Sequence, residues 1–308
     1  MTREVIPMRV FVTGASGWIG SAVVPELLAA GHQVTGLARS EASAERIRAT
    51  GATAVPGSLD DLESIRSGAA ASDAVIHLGF KHDFSDYAGA GRTERAVVAT
   101  IGDELAGSDR PFLFASGIVA RPGELLTEDV PSPYVGPDAP RGGGEAFAFE
   151  YADRGVRPVA LRFSPTVHGR GDHGFSAELV RIAREKGVAG YVGDGSNRWP
   201  AVHRLDAGRL VRLALEQATP AARVHAVGEE GIPARDIAAA IGEGLGLPVE
   251  SIAPEDVDAH FGWIGRFFGM DIPASSSITR ERYRWTPTGP TLLQDLASGS
   301  YFEAVAAR

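Results

Sequence analysis

The chain contains no cysteine, which excludes disulfides, thiol catalysis and cysteine-held zinc. A reducing cytoplasm is the expected compartment. No apolar run approaches the length of a membrane span, and the amino terminus lacks the apolar centre of a signal peptide, so no membrane association is expected. Positive charge is in short supply: 30 Lys and Arg stand against 39 Asp and Glu, a formal net charge of -9. That balance argues against a nucleic-acid backbone as partner and leaves a small molecule as the expected ligand. The 8 histidines form no His-x-x-x-His pair on one helix face. His82-Asp83 and Asp172-His173 are adjacent pairs, which diverge on any regular element, so no metal is expected. A hydrolase nucleophile elbow is missing too, because Ala115-Ser116-Gly117 lacks the leading glycine. Repeats and long linkers are absent. At 308 residues, 44% hydrophobic and 22% charged, the chain has an ordinary globular composition and room for one large domain or two joined ones. Met1 to Pro7 reads as a loose leader, with Met8 an alternative start.

What is present is concentrated near the beginning. Thr13-Gly14-Ala15-Ser16-Gly17-Trp18-Ile19-Gly20 follows the apolar run Val10-Phe11-Val12 and opens an apolar-periodic segment ending near Ala30-Gly31. A strand, a glycine-rich turn and a helix form the context in which such a motif binds a dinucleotide. Gly14 permits the tight turn, Gly17 lets backbone approach a pyrophosphate, and Gly20 lets helix and strand pack closely. Gly14, Ser16, Gly17, Trp18 and Ile19 are therefore expected cofactor contacts, with phosphates at the positive end of the helix. The alternative is a purely structural βα turn.

The first half alternates strands with helices. Strands are expected at Gln33–Leu37, Thr53–Val55, Ala74–Leu78, Phe112–Ala115 and Val159–Phe163, and helices at Glu41–Thr50, Asp61–Ala69, Arg92–Ala106 and Gly144–Arg154. This pattern requires an α/β fold, a Rossmann-type doubly wound parallel sheet covered by helices on both faces, with ligands beyond the carboxyl ends of the strands. Residues 1–165 are expected to form the dinucleotide-binding domain. Residues 166–308 are expected to form a smaller substrate-binding α/β region, partly interleaved with it.

The residues after the second strand decide the coenzyme. An NAD site places an acid there for the ribose 2′-OH. This chain offers Leu37-Ala38-Arg39-Ser40, in which Arg39 can clamp a 2′-phosphate and Ser40 can add a hydroxyl, so NADP(H) is expected. The alternative is a surface arginine beside a helix N-cap serine.

The turn Thr13–Gly20, the strand Val75-Ile76-His77-Leu78-Gly79, the serine after the fifth strand and Arg162-Phe163-Ser164-Pro165-Thr166-Val167-His168-Gly169 together resemble an extended short-chain dehydrogenase/reductase. The family also contains nucleotide-sugar epimerases and dehydratases. The ending Thr279–Pro287, a helix before a Trp-x-Pro turn, resembles its tail. The likeness covers nearly the whole chain from about Met8. It implies that Leu78, Gly79, Phe80, Pro165 and Val167 join the cofactor contacts. It also implies a serine and a Tyr-x-x-x-Lys pair at the reacting carbonyl. Ser116 fits the serine. At the apparent tyrosine and lysine places stand Arg141 and Glu145, and Tyr151 comes too late, so the usual proton donor is absent from this reading. Arginine is a poor proton donor because it stays charged.

Substitutes are Tyr134, in a Pro/Gly-rich loop, and Lys81 and His82, which follow the fourth strand on the ligand side. Their alternatives are a surface tyrosine and a solvated loop. Arg141 either anchors an anion or pairs with Glu145 one helical turn away. His168, Asp172 and His173 are read as part of a loop after the sixth strand. In the second half, Arg198–His203 is read as a strand whose Trp199–His203 part resembles a segment near the family's pocket wall, with core packing the alternative, and the aromatic stretch His260–Phe268 is read as an apolar lid or simple packing. Three functions fit these residues. The first is an atypical short-chain NADP(H)-dependent oxidoreductase acting on a small, apolar carbonyl, imine or activated alkene. The others are a non-redox isomerase or dehydratase, and a catalytically silent NADP-sensing regulator. A homodimer is compatible with all three.

Overall fold

The computed structural model of the chain describes residues 6–81, 86–119, 121 and 123–303. Its first half realises the expected alternation: β1 (Arg9–Thr13), α1 (Gly20–Ala29), β2 (Gln33–Ala38), α2 (Glu41–Arg48), β3 (Thr53–Pro56), α3 (Leu62–Ala70), β4 (Ala74–His77), α4 (Tyr87–Leu105) and β5 (Pro111–Gly117). Then come α5 (Gly144–Phe149), β6 (Arg157–Phe163), β7 (Thr166–His168), α6 (Phe175–Lys186), β8 (Ala189–Val192), β9 (Arg198–His203) and α7 (Arg204–Glu216). The chain finishes with β10 (Ala222–Ala226), β11 (Glu229–Pro233), α8 (Ala234–Leu245), β12 (Val249–Ile252), α9 (Val257–Phe261), α10 (Gly265–Phe268), α11 (Ser277–Tyr283) and α12 (Leu292–Ala297).

Two compact units result, and each draws on separate stretches of chain. The first comprises residues 1–116, 129–162 and 207–224; the second comprises 117–128, 163–206 and 225–308. The central sheet of seven strands runs β10-β6-β5-β4-β1-β2-β3. Its β1–β2, β2–β3, β1–β4 and β4–β5 registers are parallel. Such strands are buried on both faces, and β4 is buried at every residue. Phe11, Val75, Phe112 and Phe114 pack there with Ile65, Val97, Val98 and Ile101. The order reverses direction between β1 and β4, the switch point at which an open α/β sheet leaves a crevice for ligand.

Helix α4 begins five residues before the expected Arg92, because Asp86 caps it by accepting from the Gly89 amide at 2.8 Å. The helix expected over Gly144–Arg154 is α-helical only to Phe149 and then tightens to a 3-10 turn over Glu150–Arg154. His168 lies in β7, not in a loop: the strand pairs in parallel with β9, and β9 pairs antiparallel with β11. In the second unit Trp199, Phe261, Ile264 and Phe268 belong to an apolar core with Ile237, Ile241, Leu292 and Leu296. Of the aromatic side chains in the stretch read as a lid or simple packing, only Trp263 and Phe267 are well exposed, at 45% and 48%.

Candidate functional site

The turn after β1 is shaped by what its glycines lack. Gly14 has φ +69°, and a Cβ there would sit 2.7 Å from the backbone nitrogen of Gly79. At Gly20 a Cβ would fall 2.1 Å from the Gly14 carbonyl oxygen, an impossible approach. The Gly17 amide donates to that same carbonyl at 2.9 Å, closing the turn. No side chain caps α1 at Ile19. A glycine cradle on an uncapped helix start is the arrangement a diphosphate requires, so these residues fit a dinucleotide. Gly17 is exposed, while Ser16, Trp18 and Ile19 are half-buried around it. Leu78, Gly79 and Phe80, also half-buried, follow β4 directly. The Gly79 amide donates to Thr13 Oγ1 at 3.2 Å, which ties the ends of the two strands at the switch point together.

At the end of β2, Arg39 is exposed and has no hydrogen bond or ion pair among the described residues. Ser40 caps α2, accepting from the Ser43 amide at 3.3 Å. The nearest acid, Glu41, is paired with Arg48 at 2.5 Å.

Ser116 lies at the carboxyl end of β5, half-buried, and its hydroxyl donates to Glu145 Oε2 at 3.3 Å. Lys81 is paired with Asp60. Tyr134 is 37% exposed in its loop, with its amide donating to Ser132 Oγ. His82 lies outside the described residues. Tyr151 is buried, and its hydroxyl donates to Asp103 at 3.1 Å.

The pairing expected between Arg141 and Glu145 does not form. Pro140–Gly143 is a 3-10 segment in which Arg141, Gly142 and Gly143 all have φ between 54° and 62°, and α5 starts only at Gly144. Arg141 therefore lies outside the helix that would have carried it one turn from Glu145. Arg141 Nη2 instead donates to Glu94 Oε1 at 3.3 Å and to the Ala115 carbonyl at 3.2 Å, with its guanidinium 4.1 Å from the Phe80 ring centroid. Glu145 is gripped by Arg162, at 2.5 and 2.8 Å, and by Arg223 at 2.9 Å. Burial alone raises the Glu145 carboxyl pKa, but the two arginines outweigh it and hold it below the ordinary carboxylate range.

Glu94 is a second buried carboxylate, one that no sequence pattern marks. Glu94, on α4, meets His77 Nε2 at 3.3 Å, while His77 Nδ1 lies 2.6 Å from Thr13 Oγ1. Burial pushes Glu94 up, and His77 and Arg141 together bring it below its ordinary value. The result is a continuous polar chain: Gly79 amide, Thr13, His77, Glu94, Arg141. Glu94 carried no signal in a helix of mixed composition. Arg162 did, since a charge inside the apolar strand Val159–Phe163 demands a partner.

In the second unit, Pro165 is half-buried before β7 and Val167 is buried within it. His168 is fully buried, with Nδ1 2.6 Å from Asp295. Asp172 accepts from the Tyr301 hydroxyl at 2.8 Å, and His173 is exposed. Among the described residues no cluster of three or more His, Asp or Glu is placed to hold a metal, and no helix is long and apolar enough to cross a membrane.

Known proteins agree with this geometry. An uncharacterized protein of Schizosaccharomyces pombe is 47% identical over 299 residues, covering 96% of this chain and all of its own length. The decarboxylating sterol-4-alpha-carboxylate 3-dehydrogenase of Dictyostelium discoideum is 28% identical over 226 residues, 68% of each chain. A dTDP-glucose 4,6-dehydratase from Streptomyces venezuelae, solved with NAD bound, superposes with a TM-score of 0.75 at 19% identity, over 96% of this chain and 97% of its own. Residues 10–228 match the model of the NAD dependent epimerase/dehydratase family. With its glycine cradle at the switch point of a parallel sheet, the chain belongs to that family of nicotinamide-dependent enzymes.

Proposed function

We propose that the protein is an atypical short-chain NADP(H)-dependent oxidoreductase acting on a small, largely apolar carbonyl, imine or activated alkene. The observation that carries the coenzyme assignment is Arg39: an exposed guanidinium with no partner, directly after β2, where a 2′-phosphate would lie. Glu41, the nearest acid to that corner, is held by Arg48. Gly14, Ser16, Gly17, Trp18 and Ile19 would hold the diphosphate; Leu78, Gly79, Phe80, Pro165 and Val167 would line the rest of the coenzyme. When bound, nicotinamide supplies or removes a hydride. Ser116 would hold the polar substrate atom, and Lys81, His82, Tyr134 or water would handle the proton.

A second reading is favoured by Glu145. It stands at the apparent lysine place, yet its carboxylate is enclosed by Arg162 and Arg223 and suits structure better than proton chemistry. A protein of this kind would be a non-redox isomerase or dehydratase, or a regulator that senses NADP without turnover.

Fluorescence titration with NADPH and NADH separates the coenzymes, and a carbonyl and imine panel followed by loss of reduced-nicotinamide absorbance separates enzyme from sensor. NADPH is expected to bind more tightly, and Arg39→Asp is expected to cost about tenfold or more in that affinity while sparing NADH. Equal or tighter NADH binding by the wild type refutes the Arg39 assignment. Tight NADPH binding without turnover of any panel member selects the sensor.

A further inference from the structure

We infer that Arg141 binds the oxygen of the substrate carbonyl together with Ser116, held in place by the Thr13–His77–Glu94 chain, and that it does so without giving up a proton. The inference deepens the carbonyl chemistry proposed above and rests on it. Arg141 has φ 54°, a left-handed conformation that costs energy in any residue with a Cβ. Two glycines follow it in the same region, and a Cβ on Gly142 would come within 2.4 Å of the Gly91 carbonyl oxygen, so the segment is pressed against α4. Arg95 also donates to the Gly142 carbonyl at 3.1 Å. A strained arginine fixed from several sides marks a position where side-chain placement matters more than local backbone energy.

Its guanidinium is braced by residues at the carboxyl ends of two neighbouring strands. Phe80, beyond β4, lies under its face, and the carbonyl of Ala115, beside Ser116 on β5, accepts from Nη2. That is the edge of a doubly wound sheet where ligands bind. Glu94 takes the other Nη2 hydrogen. Nη2 is shared by both bidentate edges of the guanidinium fork, so with it occupied neither edge can clasp a carboxylate with two parallel bonds. The hydrogens on Nε and Nη1 have no partner among the described residues, and the side chain is 28% exposed. Single donors of this kind match one carbonyl oxygen. Glu94 also balances the guanidinium charge, which suits a neutral substrate better than an anion.

The consequence is a division of labour. A guanidinium is a poor proton donor, so Arg141 polarises the carbonyl and holds whatever negative charge develops on its oxygen, while the proton comes from elsewhere. Glu94 and His77 are positioning residues: they fix Arg141 and do not reach substrate themselves.

The test reads the bound carbonyl directly. Wild-type protein with NADP+ is mixed with isotope-labelled cyclohexanone or benzaldehyde, and the carbonyl stretch is recorded by isotope-edited infrared difference spectroscopy. A shift to lower frequency is expected in the wild type, lost in Arg141→Met and partly restored when free guanidinium is added to Arg141→Ala. Arg141→Lys, which keeps charge but loses the fixed fork, is expected to retain part of the shift. Glu94→Gln is expected to broaden the band by loosening Arg141. For any carbonyl that is turned over, Arg141→Met is expected to lower kcat on the order of 100-fold with NADPH affinity unchanged. An unshifted stretch in the wild type, or the same shift in Arg141→Met, overturns the inference. Failure of NADP+ to bind the wild type overturns the coenzyme reading instead, and the infrared comparison is then made on the coenzyme-free protein with the same two outcomes.

Discussion

Two regions of the first unit lie side by side at the ends of neighbouring strands and are built on opposite principles. The turn between β1 and α1 works by absence: Gly14 and Gly20 leave space that any Cβ would fill with backbone clash. The cluster around Glu94 and Glu145 works by addition, with two buried carboxylates each held by two basic side chains from distant parts of the chain. The turn's sequence signal lies within eight consecutive residues, with Gly79 the one distant backbone pressed against it. The cluster's partners are far apart in sequence: Arg141 is 47 residues from Glu94, and Arg223 is 78 from Glu145. A turn tolerates almost nothing at a few positions, whereas an ion cluster fails through whichever partner is left alone.

The largest effect expected from breaking this contrast is at Glu145. Glu145→Ala strands Arg162, which is fully buried, together with Arg223, and is expected to destabilise the protein by about 3–5 kcal/mol, measured by urea unfolding. Survival of full stability in that variant would show that the arginines find other acceptors. Gly20→Ala comes next. Its methyl would have to displace the Gly14 carbonyl, and about 1–3 kcal/mol of destabilisation is expected together with at least tenfold weaker dinucleotide binding. If binding stayed normal, backbone approach at the turn would not be what holds the ligand.

Acid sharpens the comparison most gently, because only the cluster titrates. The folded pKa of Glu145 is below its ordinary value of 4.5, so the ionised carboxylate contributes in full above that value. The contribution is lost as pH falls through the lower folded pKa. The stability gap between wild type and Glu145→Gln is therefore expected to be constant near neutrality and to shrink only below the ordinary carboxylate range. A gap that widened with acid would mean that the protonated form is the one favoured by folding.

The same contrast explains what could be read in advance. The strands of the parallel sheet and the glycine turn are local patterns: apolar runs of strand length and glycines at fixed spacing. The expectation that Arg141 pairs with Glu145 followed from helical spacing alone, and it failed because Arg141-Gly142-Gly143 adopts left-handed backbone ahead of α5. Three strand residues between Pro165 and Gly169 are too few to show a period, so the sequence around His168 reads as loop, yet they pair with β9. Arg162 is a charge inside an apolar strand, and nothing near it in the sequence names its partner.

The order of residues by itself determined the strand-and-helix alternation of a doubly wound sheet and the glycine turn after its first strand, since those are written in apolar runs, in turn residues and in which positions lack a side chain. Tertiary structure alone decided which charges meet. Burying Glu94 and Glu145 is tolerable only where basic groups converge on them, and that convergence depends on strands and helices that approach each other only after the chain has folded.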